Sequence, residues 1–90
     1  MTRASRTVVI SNRRGLHARA SAKFVTLASG LPTELWVEKD GAAVTGTSIM
    51  GLMMLGAAKG DSVTISAEGE AAEDAVATMC ALIEDRFGEE

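Results

Sequence analysis

Hydrophobic and polar positions first alternate with a period of two. In residues 6–11, Val8 and Ile10 stand against Thr7 and Val9, the pattern of a half-buried strand. Asn12 to Gly15 is turn chemistry. From 18 to 29 the period lengthens: Ala18, Ser21, Ala22, Val25 and Ala28 recur at steps of three and four, with Phe24 and Leu27 widening the stripe. That spacing predicts an amphipathic helix. Gly30 supplies its stop, and Pro32 follows where the helix cannot continue.

Residues 33–38 alternate again, with Leu35 and Val37 inward and Glu34, Trp36 and Glu38 outward. Asp40-Gly41 is a strong hairpin signal and leads into a strand over 42–45. A short apolar helix is expected from Ser48 to near Leu55, with Gly56 behind it. Its residues Ile49, Leu52 and Leu55 can face the core, which turns Met50, Met53 and Met54 to the other side. Lys59-Gly60-Asp61 is a turn into a strand over 62–67, where Val63 and Ile65 share a face. A last helix over 71–86 presents Ala72, Ala75, Val76, Met79, Cys80 and Ile83. A hairpin in the middle of this order favours an antiparallel sheet with helices gathered on one face, an α+β architecture.

Composition narrows the function. Ninety residues suit one domain, and 47% hydrophobic content is too rich for disorder. A net charge of −3 argues against nucleic acid, since phosphate backbones select clustered Lys and Arg. The one local basic cluster, Arg13, Arg14 and Arg19, surrounds the single histidine and suits a small anion or an acidic protein. Cys80 stands alone, so a reducing compartment is expected. Residues 1–11 lack an apolar stretch of signal-peptide length, and no segment approaches the ~20 apolar residues that span a bilayer. The chain therefore reads as cytoplasmic.

His17 lies where a turn runs into the first helix, in Arg13-Arg14-Gly15-Leu16-His17-Ala18-Arg19-Ala20-Ser21. If the helix begins at Ala18, His17 occupies the N-cap, beside backbone N–H groups without intrahelical partners. Those donors and the positive end of the helix dipole make an anion site. Gly15 permits the tight turn, and Arg19 carries a fork of donors suited to phosphate oxygens. The same surroundings disfavour imidazolium, as a nucleophilic ring requires. By position alone a plain surface histidine at a helix start is as good a reading. One His and one Cys far apart make no metal site, and ninety residues leave little room for a Ser–His–Asp hydrolase pocket.

Gly15-Leu16-His17-Ala18-Arg19, followed by a helix containing Phe24, resembles the active-site signature of HPr, the histidine-containing phosphocarrier of the bacterial phosphotransferase system. Thr47-Ser48-Ile49-Met50-Gly51-Leu52-Met53 resembles the family's second signature, a regulatory serine and its helix. The likeness extends over about residues 6–86, including Asp40-Gly41 and Ile65-Ser66-Ala67-Glu68-Gly69.

The resemblance implies one HPr domain over 1–90, with 1–5 a loose extension. Its fold would be an open-faced β-sandwich: four antiparallel strands in the order 1-4-2-3 with three helices on one face. His17 would take a phosphoryl group on Nδ1 from phosphorylated enzyme I and pass it to an enzyme IIA, a carrier's role without turnover or cofactor. Arg19 and the backbone of Ala18 and Arg19 would hold the phosphoryl group. Ser48 would be the target of an HPr kinase/phosphorylase, and Leu16, Ala20, Ile49, Met50 and Met53 would form the partner surface.

Two positions depart from the family pattern. Ala20 stands where proline is usual, and Thr47 where lysine or arginine is common. Ala20 points toward the branch paired with nitrogen-related or purely regulatory systems rather than sugar transport, and Thr47 makes kinase recognition at Ser48 a weaker match than phosphorylation of His17. The alternative is a regulatory interaction module controlled through Ser48, with little phosphoryl flux. A ferredoxin-like ligand- or RNA-binding domain is more remote, because the balance is acidic and aromatics are not clustered. Ser48 is independently a preferred helix N-cap.

Overall fold

The computed structural model describes residues 3–89. Strand β1 (Arg3–Val9) leads to helix α1 (Ala18–Ser29), then to strands β2 (Leu35–Lys39) and β3 (Ala42–Thr45). Helix α2 (Ile49–Met54), strand β4 (Ser62–Glu68) and helix α3 (Ala72–Glu84) complete the order, with a tight turn over Arg86–Gly88. The four strands form one antiparallel sheet in the order β1-β4-β2-β3. This is the α+β open-faced arrangement expected from the sequence.

The sheet's inner face is built by alternation. Val8, Leu35, Val37, Val63, Ile65 and Ala67 are buried beneath the helices. The opposite face carries polar residues such as Thr7 and Thr64, register partners whose hydroxyls lie 3.0 Å apart. Trp36 stands on that uncovered face at 41% exposure, as its place in the alternation requires. The β2–β3 hairpin turns on Asp40 and Gly41, at φ 53° and 85°, the left-handed pair that a two-residue hairpin demands.

Several boundaries differ from the sequence reading. Residues 3–5 are not a loose extension: Arg3, Ala4 and Ser5 pair with Glu68, Ala67 and Ser66, so β1 starts three residues earlier and stops at Val9. β2 begins at Leu35 rather than at Thr33, whose hydroxyl instead donates to the Glu68 carbonyl at 2.8 Å. Residues 1–2 and 90 lie outside the described residues.

The buried face of α1 is also rotated from the expected stripe. Ala20, Ser21, Phe24 and Ala28 are buried, whereas Ala18 and Leu27 are exposed. Alanines mark no face by themselves, and the bulk of Phe24 decides which side meets the sheet. The α3 face holds as expected, with Ala72, Ala75, Val76, Met79, Cys80 and Ile83 buried. That helix ends earlier, at Glu84, because the chain reverses to bury Phe87.

The turn between β1 and α1 is fixed from outside. Gly15 has φ +63°, and the Leu16 N–H donates to the Ala57 carbonyl at 2.9 Å. A Cβ at Gly15 would lie 2.3 Å from the Ala57 oxygen and 2.8 Å from the Ala58 Cα. Both obstacles are backbone and cannot swing aside. Gly15→Ala therefore combines a left-handed φ with a backbone clash, and should cost at least ~2 kcal/mol of stability. Denaturant unfolding measures this; a change under about 0.5 kcal/mol, the scale of an ordinary surface substitution, would mean the turn is not so constrained.

Candidate functional site

His17 caps α1, with φ −73° and ψ 178°, and its side chain makes no capping hydrogen bond. Its carbonyl accepts the first intrahelical bond, from the Ser21 N–H at 2.9 Å. The N–H groups of Ala18, Arg19 and Ala20 come before that bond, as the first amides of a helix must. The ring therefore stands beside free donors and the positive end of a twelve-residue helix. Ser21 reinforces the entry from below: buried, its hydroxyl donates to the Leu16 carbonyl at 3.2 Å.

The imidazole is more covered than an N-cap side chain at a helix start would suggest. Its side chain is 15% exposed, and Nε2 lies 2.7 Å from Glu89 Oε2. Glu89 comes back to the ring through an unusual turn: Arg86, Phe87 and Gly88 all have positive φ, at 57°, 56° and 74°. Left-handed conformations cost L-residues roughly 1–2 kcal/mol each, so something must hold Arg86 and Phe87 there. Phe87 is fully buried, and Lys23 Nζ donates to its carbonyl at 2.7 Å.

Asn12 closes the arrangement. Its Nδ2 donates to the Gly15 carbonyl at 2.8 Å and to Glu89 Oε1 at 3.2 Å. Both partners are acceptors, so the amide cannot be reversed, and Oδ1 is left buried without a partner among the described residues. An unsatisfied buried acceptor costs about 1–3 kcal/mol, a cost borne where the amide ties the histidine turn to Glu89. Sequence reasoning missed Asn12, Ser21 and Glu89. Asn12 and Ser21 carry only turn and helix signals, and Glu89 lies 72 residues from the ring it meets.

Arg19 is exposed and makes no ion pair among the described residues. It stands at the rim of a shallow groove between α1 and α3 that Lys23, Leu27, Leu31 and Leu82 also line. Arg13 and Arg14 are exposed in the preceding turn.

Ser48 caps α2, its hydroxyl oxygen accepting from the Gly51 N–H at 2.9 Å. Met50 (70% exposed), Met53 and Met54 (79%) face outward, as the sequence suggests. Ile49 is exposed with them instead of facing the core, which takes only Leu52 from this six-residue helix. Leu16 and Ala20 need the opposite correction: both are buried, so neither side chain can belong to a partner surface. The segment after α2, at Ala57, meets the histidine turn, while Gly46, just before α2, packs toward Phe24 in mid-α1. Ser48 therefore lies at the end of α2 away from the His17 turn.

No cluster of three His, Cys, Asp or Glu side chains able to hold a metal occurs among the described residues. No described helix is long and apolar enough to cross a membrane.

Residues 4–85, which include this histidine and arginine, match the family model described as the PTS HPr component phosphorylation site. The chain belongs to the HPr family. Members of that family are phosphocarrier proteins of the phosphotransferase system. Among its HPr relatives, the phosphocarrier protein HPr of Neisseria meningitidis serogroup A is 46% identical over 83 residues, 92% of this chain and 93% of its own length. The phosphocarrier protein NPr of Shewanella violacea is 36% identical over 89 residues, 99% of this chain and 98% of its own. The fold is similar to a crystal structure of HPr-C-His from Thermoanaerobacter tengcongensis. Its TM-score is 0.91 at 47% identity, covering 97% of this chain and 98% of that one.

The Glu89 carboxyl is held below the ordinary carboxylate range. Burial is the strongest single influence and pushes it up, but the hydrogen bonds with His17 and Asn12 and the electrostatic influence of His17 and Arg19 together outweigh it. A carboxylate depressed in the folded state stabilises the fold above its unfolded pKa and loses that contribution as pH falls through the folded value. The stability gap between the native chain and Glu89→Gln should thus be fullest near neutrality and close in strong acid. Denaturant unfolding across pH checks this; a gap that does not vary with pH would contradict it.

Proposed function

We propose that His17 accepts a phosphoryl group from phosphorylated enzyme I and donates it to an enzyme IIA, so that the chain works as a carrier without turnover of its own. The observation that carries this reading is the single histidine of an HPr-family chain at the N-cap of α1, beside free amides and Arg19. Phosphoryl transfer asks mainly for positioning and charge stabilisation, and a helix start offers both. The amides of Ala18 and Arg19 and the Arg19 guanidinium hold the transferred group through charge-assisted hydrogen bonds. These partners place the work in the cytoplasm.

The exposed cluster of Ile49, Met50, Met53 and Met54 suits a surface that docks more than one partner, because flexible thioethers adapt to different shapes. Ser48 adds control to that surface. A phosphate there brings about −1.5 to −2 charges to the start of α2, where free amides hold it without unfolding the helix. An HPr kinase/phosphorylase is the class of enzyme that would place it. The pathway follows the acceptor: Ala20 in place of proline and the NPr likeness favour nitrogen-related or other regulation over sugar transport.

Incubation with enzyme I and phosphoenolpyruvate should add one acid-labile phosphoryl group to the native chain and none to His17→Ala. Acid-labile labelling that survives in His17→Ala would remove the assignment. Arg19→Ala should slow acceptance about ten- to a hundredfold, the equivalent of one charge-assisted contact. Stopped-flow or quenched labelling reads this, and an unchanged rate would leave the guanidinium without a role. Ser48→Ala should lose ~1 kcal/mol of capping yet accept phosphate normally. Ser48→Asp should keep its melting temperature and bind enzyme I more weakly. Normal docking by a folded Ser48→Asp would rule out control through surface charge.

A further inference from the structure

The carboxylate on the histidine ring is a built feature. Glu89 reaches His17 Nε2 at 2.7 Å only because the chain reverses through Arg86, Phe87 and Gly88, all at positive φ. Three contacts fix that reversal: the buried Phe87 side chain, Lys23 Nζ on the Phe87 carbonyl at 2.7 Å, and Asn12 Nδ2 on the second Glu89 oxygen at 3.2 Å.

An ionised carboxylate only accepts hydrogen bonds, so its partner nitrogen must carry the proton. With Glu89 ionised, a neutral His17 ring therefore has its proton on Nε2 and its lone pair on Nδ1. Among the described residues Glu89 is the ring's one hydrogen-bond partner, so no other group sets the tautomer. We propose that Glu89 is a positioning residue for phosphoryl transfer: its carboxylate holds the Nε2 proton and makes Nδ1 the nucleophile. The proposal rests on the reading of His17 as the phosphoryl acceptor.

The step balances without further reactants. The Nδ1 lone pair forms the N–P bond as the bond from phosphorus to the donor's leaving group breaks, its electron pair departing with that group. Nε2 keeps its proton throughout, and the ring gains a positive charge that the Glu89 carboxylate faces directly. Onward transfer breaks the N–P bond and returns the pair to Nδ1. A third group that orients an imidazole in this way is a recurring device wherever histidine exchanges bonds at one nitrogen.

Phosphoramidate, a small donor that releases ammonia, tests the idea without any partner surface. NMR distinguishes the two phosphohistidine isomers and reads the tautomer of the free ring from its nitrogen shifts. The native chain should show Nε2–H in the neutral ring and label at Nδ1. Glu89→Gln can accept or donate at Nε2, so it should populate both tautomers, divert label to Nε2 and slow Nδ1 labelling about tenfold. Asn12→Ala, which frees the carboxylate without removing it, should shift the isomer ratio in the same direction.

The outcomes separate the two claims. A native His17 that takes no label from phosphoramidate or from enzyme I would remove the acceptor reading itself. A labelled native chain whose neutral ring carries its proton on Nδ1 would overturn the role of Glu89 without need of a variant. So would a Glu89→Gln that labels the same nitrogen at the same rate.

Discussion

The position of every group at this site depends on one close approach of backbone to backbone. The turn before His17 lies against Ala57 and Ala58 so tightly that only glycine fits at position 15, and the Leu16 N–H bonds to the Ala57 carbonyl. That contact ties the connection after β1 to the segment after α2 and determines where α1 starts. A helix start is where unpaired amides collect, so the same contact determines where those amides sit. Slack in this turn would move the amides, the ring and Arg19 together.

Around that fixed turn the protein gathers polar groups from distant stretches of chain. Asn12 bonds the Gly15 carbonyl, Ser21 the Leu16 carbonyl, and Glu89 the ring, while the buried Phe87 brings Glu89 into reach. Two expensive features coincide here: the orphaned Asn12 oxygen and the left-handed Arg86 and Phe87. Neither strengthens the core. Both are explained by holding one carboxylate against one imidazole, which is the pattern expected where local stability is given up for chemistry.

Much of this was legible in the sequence where a residue's signal is local. Asp40-Gly41 marks its hairpin, the large residues of α3 mark its buried face, and Ser48 marks a cap, because turn geometry, bulk and hydrogen bonding act over a few residues. The motif around His17 likewise marks the start of α1. Legibility fails where small or distant residues decide. The alanines of α1 leave its face ambiguous until Phe24 is set against the sheet, and so Ala20 is buried instead of outward, while Leu16 is buried in the turn held against Ala57. Polar Arg3 and Ser5 resemble a loose end until β4 supplies partners. Glu89 has no periodicity or motif to connect it with His17, and only the reversal at Phe87 brings them together.

A carrier differs from a protein that is merely phosphorylated in that it gives the group away. The direct test is to phosphorylate the native chain with enzyme I and phosphoenolpyruvate, remove both, and add an enzyme IIA. The phosphoryl group should leave His17 and appear on the acceptor, returning the chain to its unmodified mass, while a control without acceptor keeps its label far longer. Phosphate that stays on the chain, or is lost only to water, with each enzyme IIA offered would contradict the carrier function.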